Sequence, residues 1–188
     1  MIEIRWHGRG GQGAKTAALL FADAVMHEGK WVQAFPEYGP ERMGAPVQAF
    51  NRVSDEPILL HCGITNPNIV VVLDPTLCSA IDVAAGLVEN GSLLVNTEKK
   101  PEDFRKEMGL STKAIFTIDA SKIAMETIGK NIPNTPMLGA LIKVSEVIPL
   151  ATIISYTEKK MAKKFKDKPE IIKGNLEAIK RAYDEVRG

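Results

Sequence analysis

A chain of 188 residues, 45% hydrophobic and 25% charged, has the length and composition of one globular domain with a sizeable core. A formal net charge of +1 without an aromatic-basic stripe gives no field to gather nucleic acid, and the longest apolar tracts are too short or too interrupted to span a bilayer. Cys62 and Cys78 lie far apart with no C-x-x-C, which excludes an iron–sulfur cluster or a four-ligand zinc held within this chain and predicts two reduced, structural thiols.

The first residues enter a strand pattern at once, Ile2, Ile4 and Trp6 alternating with Glu3, Arg5 and His7. Such a start is neither a signal peptide nor a basic transit segment, and a cytoplasmic protein is expected. Gly8-Arg9-Gly10-Gly11-Gln12-Gly13 follows, and then the helix-like run Ala14 to Phe21. A glycine loop between strand and helix lets backbone N–H groups approach a ligand beside the positive end of the helix dipole, so this junction suits a phosphate or pyrophosphate. Gly8, Gly10 and Gly13 fit the G-x-G-x-x-G spacing of dinucleotide sites. The acid that should close the second strand is missing, because Trp31 to Phe35 ends in Pro36 and the first carboxylate, Glu37, is expected in a loop. The phosphate-loop pattern also fails by one residue. Ala14 intrudes before Lys15-Thr16 and turns the lysine about 100° away from where it is needed.

A proline- and glycine-rich loop, Pro36 to Pro46, comes next, then two extended runs, Val47 to Val53 and Ile58 to Leu60, flanking a turn-like Ser54 to Pro57 and predicting a hairpin. Ile69 to Leu73, apolar on both faces and ending at Asp74-Pro75, reads as a central parallel strand. A helix is predicted from about Ser79 to Glu89 closing at Gly91, then a short buried strand, Leu93 to Val95. Pro101 and Gly109 bracket an exposed helix, Ala114 to Ile118 is a strand, and Asp119 caps a helix that ends at Gly129. From Asn134 the pattern is helical only, with starts at Thr135-Pro136 and Pro169 and a break at Pro149. The sum is a single domain, 1–188: α/β, a three-layer α/β/α Rossmann-like fold with a mixed sheet and a C-terminal helical segment. A half-polar first strand is odd there. Either its polar face lies near solvent or a partner, or the sheet is mixed and covers that strand on one side only.

Five blocks in order, the glycine loop with Ala14 to Ala17, Pro36 to Val47, Ile69 to Pro75, Leu94 to Thr97 and Asn134 to Ala140, resemble the gamma subunits of the 2-oxoacid:ferredoxin oxidoreductases. The pyruvate (or pyruvate/2-ketoisovalerate) branch is the nearest match, and the resemblance covers essentially the whole chain. It implies a subunit of a pyruvate synthase, a complex that oxidatively decarboxylates pyruvate to acetyl-CoA and CO2 and reduces ferredoxin. By the same resemblance, this chain holds no cofactor alone. Thiamine diphosphate, Mg2+ and iron–sulfur (4Fe-4S) clusters belong to alpha, beta and delta (ferredoxin-like) subunits, with an external ferredoxin as electron partner, no nucleic acid and no membrane. Coenzyme A is the substrate this chain is expected to contact, through Gly8, Arg9, Gly10, Gly11, Gln12, Gly13 and Thr16 with Arg42 and Asn134.

Each of these side chains also has a plainer reading. Arg42 suits a bidentate hold on phosphate, or is a solvated loop arginine. His7 either approaches the anion or, as expected, is satisfied by nearby backbone. Lys15 is read as solvated, Asp74 as a turn or helix cap, and Asn134 as a cap or as an amide reaching a neighbouring active site. The lysines of 159–168 read as a solvated helix face. Two function classes remain: a non-catalytic subunit of a thiamine-dependent oxidoreductase, and a free-standing Rossmann-like nucleotide-binding enzyme. The missing acid, the displaced lysine and the absence of a nucleophile or acid–base pair favour the subunit.

Overall fold

The structure, a computed structural model, describes residues 1–37, 44–109, 114–166 and 168–188. The elements run β1 Ile2–Arg9, α1 Ala14–His27, β2 Trp31–Glu37, β3 Pro46–Ser54, β4 Ile69–Val72, α2 Leu77–Ala80, β5 Ser92–Asn96, α3 Pro101–Met108, β6 Ala114–Ile118, α4 Ala120–Ile128, α5 Asn134–Ser145, α6 Leu150–Lys164 and α7 Pro169–Glu185. The strands form one sheet in the order β2-β3-β1-β4-β5-β6. From β1 through β6 the pairing is parallel, whereas β3 runs antiparallel to both β1 and β2. The fold is thus α/β on a mixed sheet, as expected.

Strand alternation divides the core. Ile4, Trp6, Ala49, Val53, Ile69, Val71 and Leu94 face a layer built on α1 and α5, with α4, α6 and α7 packed around them. Val70, Val72, Leu93 and Val95 face the other way, onto Leu77, Val83, Leu87 and Phe104. Within the first layer, α7 lies so close to α5 that a Cβ on Gly139 would stand 2.2 Å from the carbonyl oxygen of Ile179, so only glycine fits that crossing. Trp6 Nε1 donates to Asn51 Oδ1 at 2.8 Å and Asn51 Nδ2 to the Ala18 carbonyl at 2.9 Å, so the polar atoms inside this core tie β1, β3 and α1 together.

Four local expectations need correction. The hairpin partner of β3 is β2, not Ile58 to Leu60; β1 and β2 occupy both edges of β3, and Leu59 is left exposed. Strand β2 runs through Pro36 to Glu37, which an outermost strand tolerates because the missing N–H can face away from the sheet. The helix expected over 79–89 shrinks to Leu77–Ala80. Ile81 is extended, Asp82 Oδ1 accepts from the Ala84 amide, and the Arg5 guanidinium donates to the carbonyls of Val83 (3.0 Å) and Ala85 (2.6 Å), which a helix would use internally. Those bonds also answer the half-polar first strand. The sheet is mixed, but both faces of β1 are covered, and Arg5 and His7 are buried.

The helix boundaries at Pro101, Gly109, Asp119, Gly129 and Pro169 stand as read. Asp119 Oδ1 accepts from the Lys122 amide at 2.9 Å, and Gly109 and Gly129 close their helices in the left-handed region.

Candidate functional site

At the end of β1 the chain turns through Gly10 to Gly13 into α1. Gly11 (φ 98°) and Gly13 (φ 83°, the N-terminal cap of α1) both take left-handed backbone that disfavours side chains. The turn closes with the Gln12 amide on the Arg9 carbonyl at 3.0 Å. Gly11 is exposed, and among the described residues a Cβ on it would meet nothing within 4 Å. No acidic residue stands in the first turn of α1, so the helix itself supplies no counter-charge to its positive dipole end. Loop and first turn, with Lys15 and Thr16, form one wall of a cleft of about 460 Å³, and Pro36, Glu37, Val47 and Gln48 from β2 and β3 form the other.

The loop is held from behind by side chains. Asp74, just past the carboxyl end of β4, accepts through Oδ2 from Arg9 Nε (3.1 Å) and Gln12 Nε2 (2.8 Å), and through Oδ1 from the Thr76 amide (3.0 Å) and hydroxyl (2.6 Å). Arg9 further donates to the Gly44 carbonyl and to Thr76 Oγ1, while Gln12 Oε1 accepts from the Arg9 amide. Burial alone would raise the Asp74 carboxyl, but hydrogen bonds from Thr76 and Gln12 and the charge of Arg9 outweigh it and hold it below the usual carboxylate range.

The structure brings together most residues singled out from sequence. Gly10, Gly11, Gly13 and Thr16 line the cleft. A Cβ on Gly8 would sit 3.3 Å from that of Ala14, so Gly8 lets α1 close over the end of β1. Arg9 also lines the cleft and Gln12 does not, and the side chains of both are engaged in the brace. Asn134 opens α5, and its amide lies against Gly13, where a Cβ would stand 2.6 Å from Nδ2. Arg42 lies outside the described residues.

His7 departs from expectation. Its Nε2 accepts from Arg5 Nε at 3.0 Å rather than from backbone, and its buried Nδ1 has no partner among the described residues. Burial, with help from the Arg5 charge, pushes its pKa down to about 4 and keeps the ring neutral, and it lines no part of the cleft. Glu37 and Gln48 were missed as cleft residues because they reach it through the β2–β3 pairing, where they stand opposite each other. Read correctly, that pairing was the only signal for them. Asp74 is a turn residue, as read, but also the brace of the loop. Among the described residues no three His, Cys, Asp or Glu side chains gather to hold a metal ion, and no helix is long and apolar enough to cross a membrane.

Residues 3–185 match the pyruvate ferredoxin/flavodoxin oxidoreductase family. The chain is 51% identical to the pyruvate synthase subunit PorC of Thermotoga maritima, over 99% of this chain and 95% of that protein. It is 44% identical to the pyruvate/ketoisovalerate oxidoreductases common subunit gamma of Pyrococcus furiosus, over 99% and 97% of the two chains. The crystal structure of pyruvate oxidoreductase subunit PORC from Thermotoga maritima superposes with a TM-score of 0.85 at 49% identity, covering 99% of this chain and 97% of that one.

Proposed function

The chain belongs to the pyruvate ferredoxin/flavodoxin oxidoreductase family, and from that premise we propose that it serves as the gamma subunit of a cytoplasmic pyruvate synthase. The observation that carries this is the match along almost its entire length to a pyruvate synthase subunit, with more than half the residues identical. The complex converts pyruvate and coenzyme A to acetyl-CoA and CO2 and passes the electrons to ferredoxin. Alpha, beta and delta subunits supply the rest of the machinery, and their thiamine diphosphate provides the electron sink that lets the C–C bond of pyruvate break. A relative named as common to a pyruvate and a ketoisovalerate enzyme supports leaving the choice of 2-oxoacid to the other subunits.

This chain's own part is to present a wall for coenzyme A. With the amides of Gly10 and Gln12 spent on Ala45 and Arg9, the turn at Gly11 and Gly13 and the start of α1 offer backbone donors and a positive helix end to the cleft, the donor set that suits the diphosphate of that substrate. Lys15 and Thr16 border the same surface, and Glu37 on the opposite wall confines the anion to the loop side by repulsion. Asn134 packs against Gly13.

Co-expression with the partner subunits tests the assignment. The full complex is expected to reduce ferredoxin in the presence of pyruvate and coenzyme A, and the same preparation without this chain is expected to lose that activity. Full activity without it would overturn the reading, as would saturable micromolar binding of NAD or ATP by the isolated chain.

A further inference from the structure

We propose that Asp74 is the positioning residue of the glycine loop: it touches no ligand, and it fixes the shape in which the loop meets the coenzyme A diphosphate. The inference rests on the reading of the cleft given above. Two of its hydrogen bonds reach the two side chains of the loop, Arg9 and Gln12, and the other two anchor its own turn at Thr76. Gln12 closes the circuit by accepting the Arg9 amide at 2.8 Å. Gly11, the exposed residue of the turn, is therefore held between two points fixed by one carboxylate. The backbone leading into Asp74 is itself fixed to β1, because the Leu73 amide donates to the His7 carbonyl at 2.8 Å. Arg9 carries the order outward to the Gly44 carbonyl, and paired backbone bonds, Gly10 amide to Ala45 carbonyl (2.9 Å) and Gly44 amide to Gly10 carbonyl (3.3 Å), dock the loop on the start of β3.

Chemistry makes this position specific. Every partner of Asp74 is a donor, so a group with four acceptor sites is required, and an asparagine of the same shape would set its NH2 against donors on one side or the other. The carboxylate also neutralises Arg9, so attraction for an anion comes from the loop amides and helix end. A purely electrostatic role and a positioning role then predict opposite signs. Asp74→Asn frees the positive charge of Arg9, which by charge alone would tighten binding of an anionic substrate; loss of loop order would weaken it.

The test is steady-state kinetics of the assembled complex with Asp74→Asn, Asp74→Glu and, as a probe of the cleft itself, Gly11→Val. Positioning predicts a KM for coenzyme A raised roughly tenfold in Asp74→Asn, partial recovery in Asp74→Glu, and an unchanged KM for pyruvate. Should Asp74→Asn fail to assemble, Gln12→Met, which removes the link without touching the carboxylate, is expected to raise the same KM severalfold. If Gly11→Val raises the KM for coenzyme A and Asp74→Asn leaves it unchanged or lowers it, the positioning role is overturned and the cleft stands. If neither variant moves it, both the cleft assignment and the role of Asp74 fall.

Discussion

The two halves of the sheet solve burial differently. Strands β4, β5 and β6 are parallel, and the apolar runs Ile69–Val72 of β4 and Leu93 to Val95 of β5 are buried on both faces, between helices on one side and the second cluster on the other. Strands β2 and β3 are antiparallel, and on one face their rows read Gln33–Arg52–Glu3, Phe35–Phe50–Arg5 and Glu37–Gln48–His7 across to β1. That face is covered by irregular chain around Cys62 to Thr65 and Val83 to Ala85, not by a long helix, and is tied to it by hydrogen bonds from Arg52 and Arg5. The centre of the parallel half is held by non-directional apolar contact, and this face of the antiparallel half by polar contacts that work only in one arrangement. The glycine loop springs from β1, the strand both halves share. It takes its brace from the parallel side, at Asp74, and its facing wall from the antiparallel side, at Glu37 and Gln48.

The sharpest break between the halves should come at Arg52. It is fully buried, bonded to Glu3 Oε1 at 2.6 Å, to Gln33 Oε1 at 3.2 Å and to the Gly63 carbonyl at 3.0 Å, and it lies over the Phe35 ring. Arg52→Ala leaves Glu3 and those acceptors without their donor, and urea unfolding is expected to register a loss of about 4 kcal/mol. Leu94, buried at the centre of the parallel half, should behave differently by substituent: about 3 kcal/mol for Leu94→Ala, under about 1.5 kcal/mol for Leu94→Met, because only volume matters there. An equally large loss for Leu94→Met would erase the contrast.

A pH titration of stability sharpens it from the polar side. His7 has a pKa of about 4 in the fold against 6.5 unfolded, so between those values the unfolded chain binds a proton that the folded chain does not. Stability from this group is complete above pH 6.5 and declines as pH falls toward 4, by about 3 kcal/mol in all. His7→Gln, which keeps an acceptor for Arg5, should remove that part of the slope, and identical slopes in the two proteins would show that His7 is not held neutral.

Reading the sequence worked where a local pattern decides the outcome. The glycine loop, the capping Asp119, the prolines that open α3 and α7 and the apolar run of β4 all carry their own chemistry. It failed where a distant partner decides. The helix expected over 79–89 loses to carbonyls claimed by Arg5, nearly 80 positions earlier, and Ile58 to Leu60 loses its place beside β3 to Trp31–Glu37. The second wall of the cleft was invisible for the same reason. Glu37 looked like a loop residue until β2 extended through Pro36, and the turn residue Asp74 gave no local sign that Arg9 and Gln12 would converge on it.

Photolabelling of the assembled complex by a coenzyme A analogue carrying a photoreactive group near its diphosphate, followed by peptide mass spectrometry, tests the central claim most directly. The account predicts label on this chain within the segment from Gly10 to Thr16, competed away by unmodified coenzyme A and reduced in Gly11→Val. Label confined to the other subunits, with the glycine loop unmodified, would contradict it.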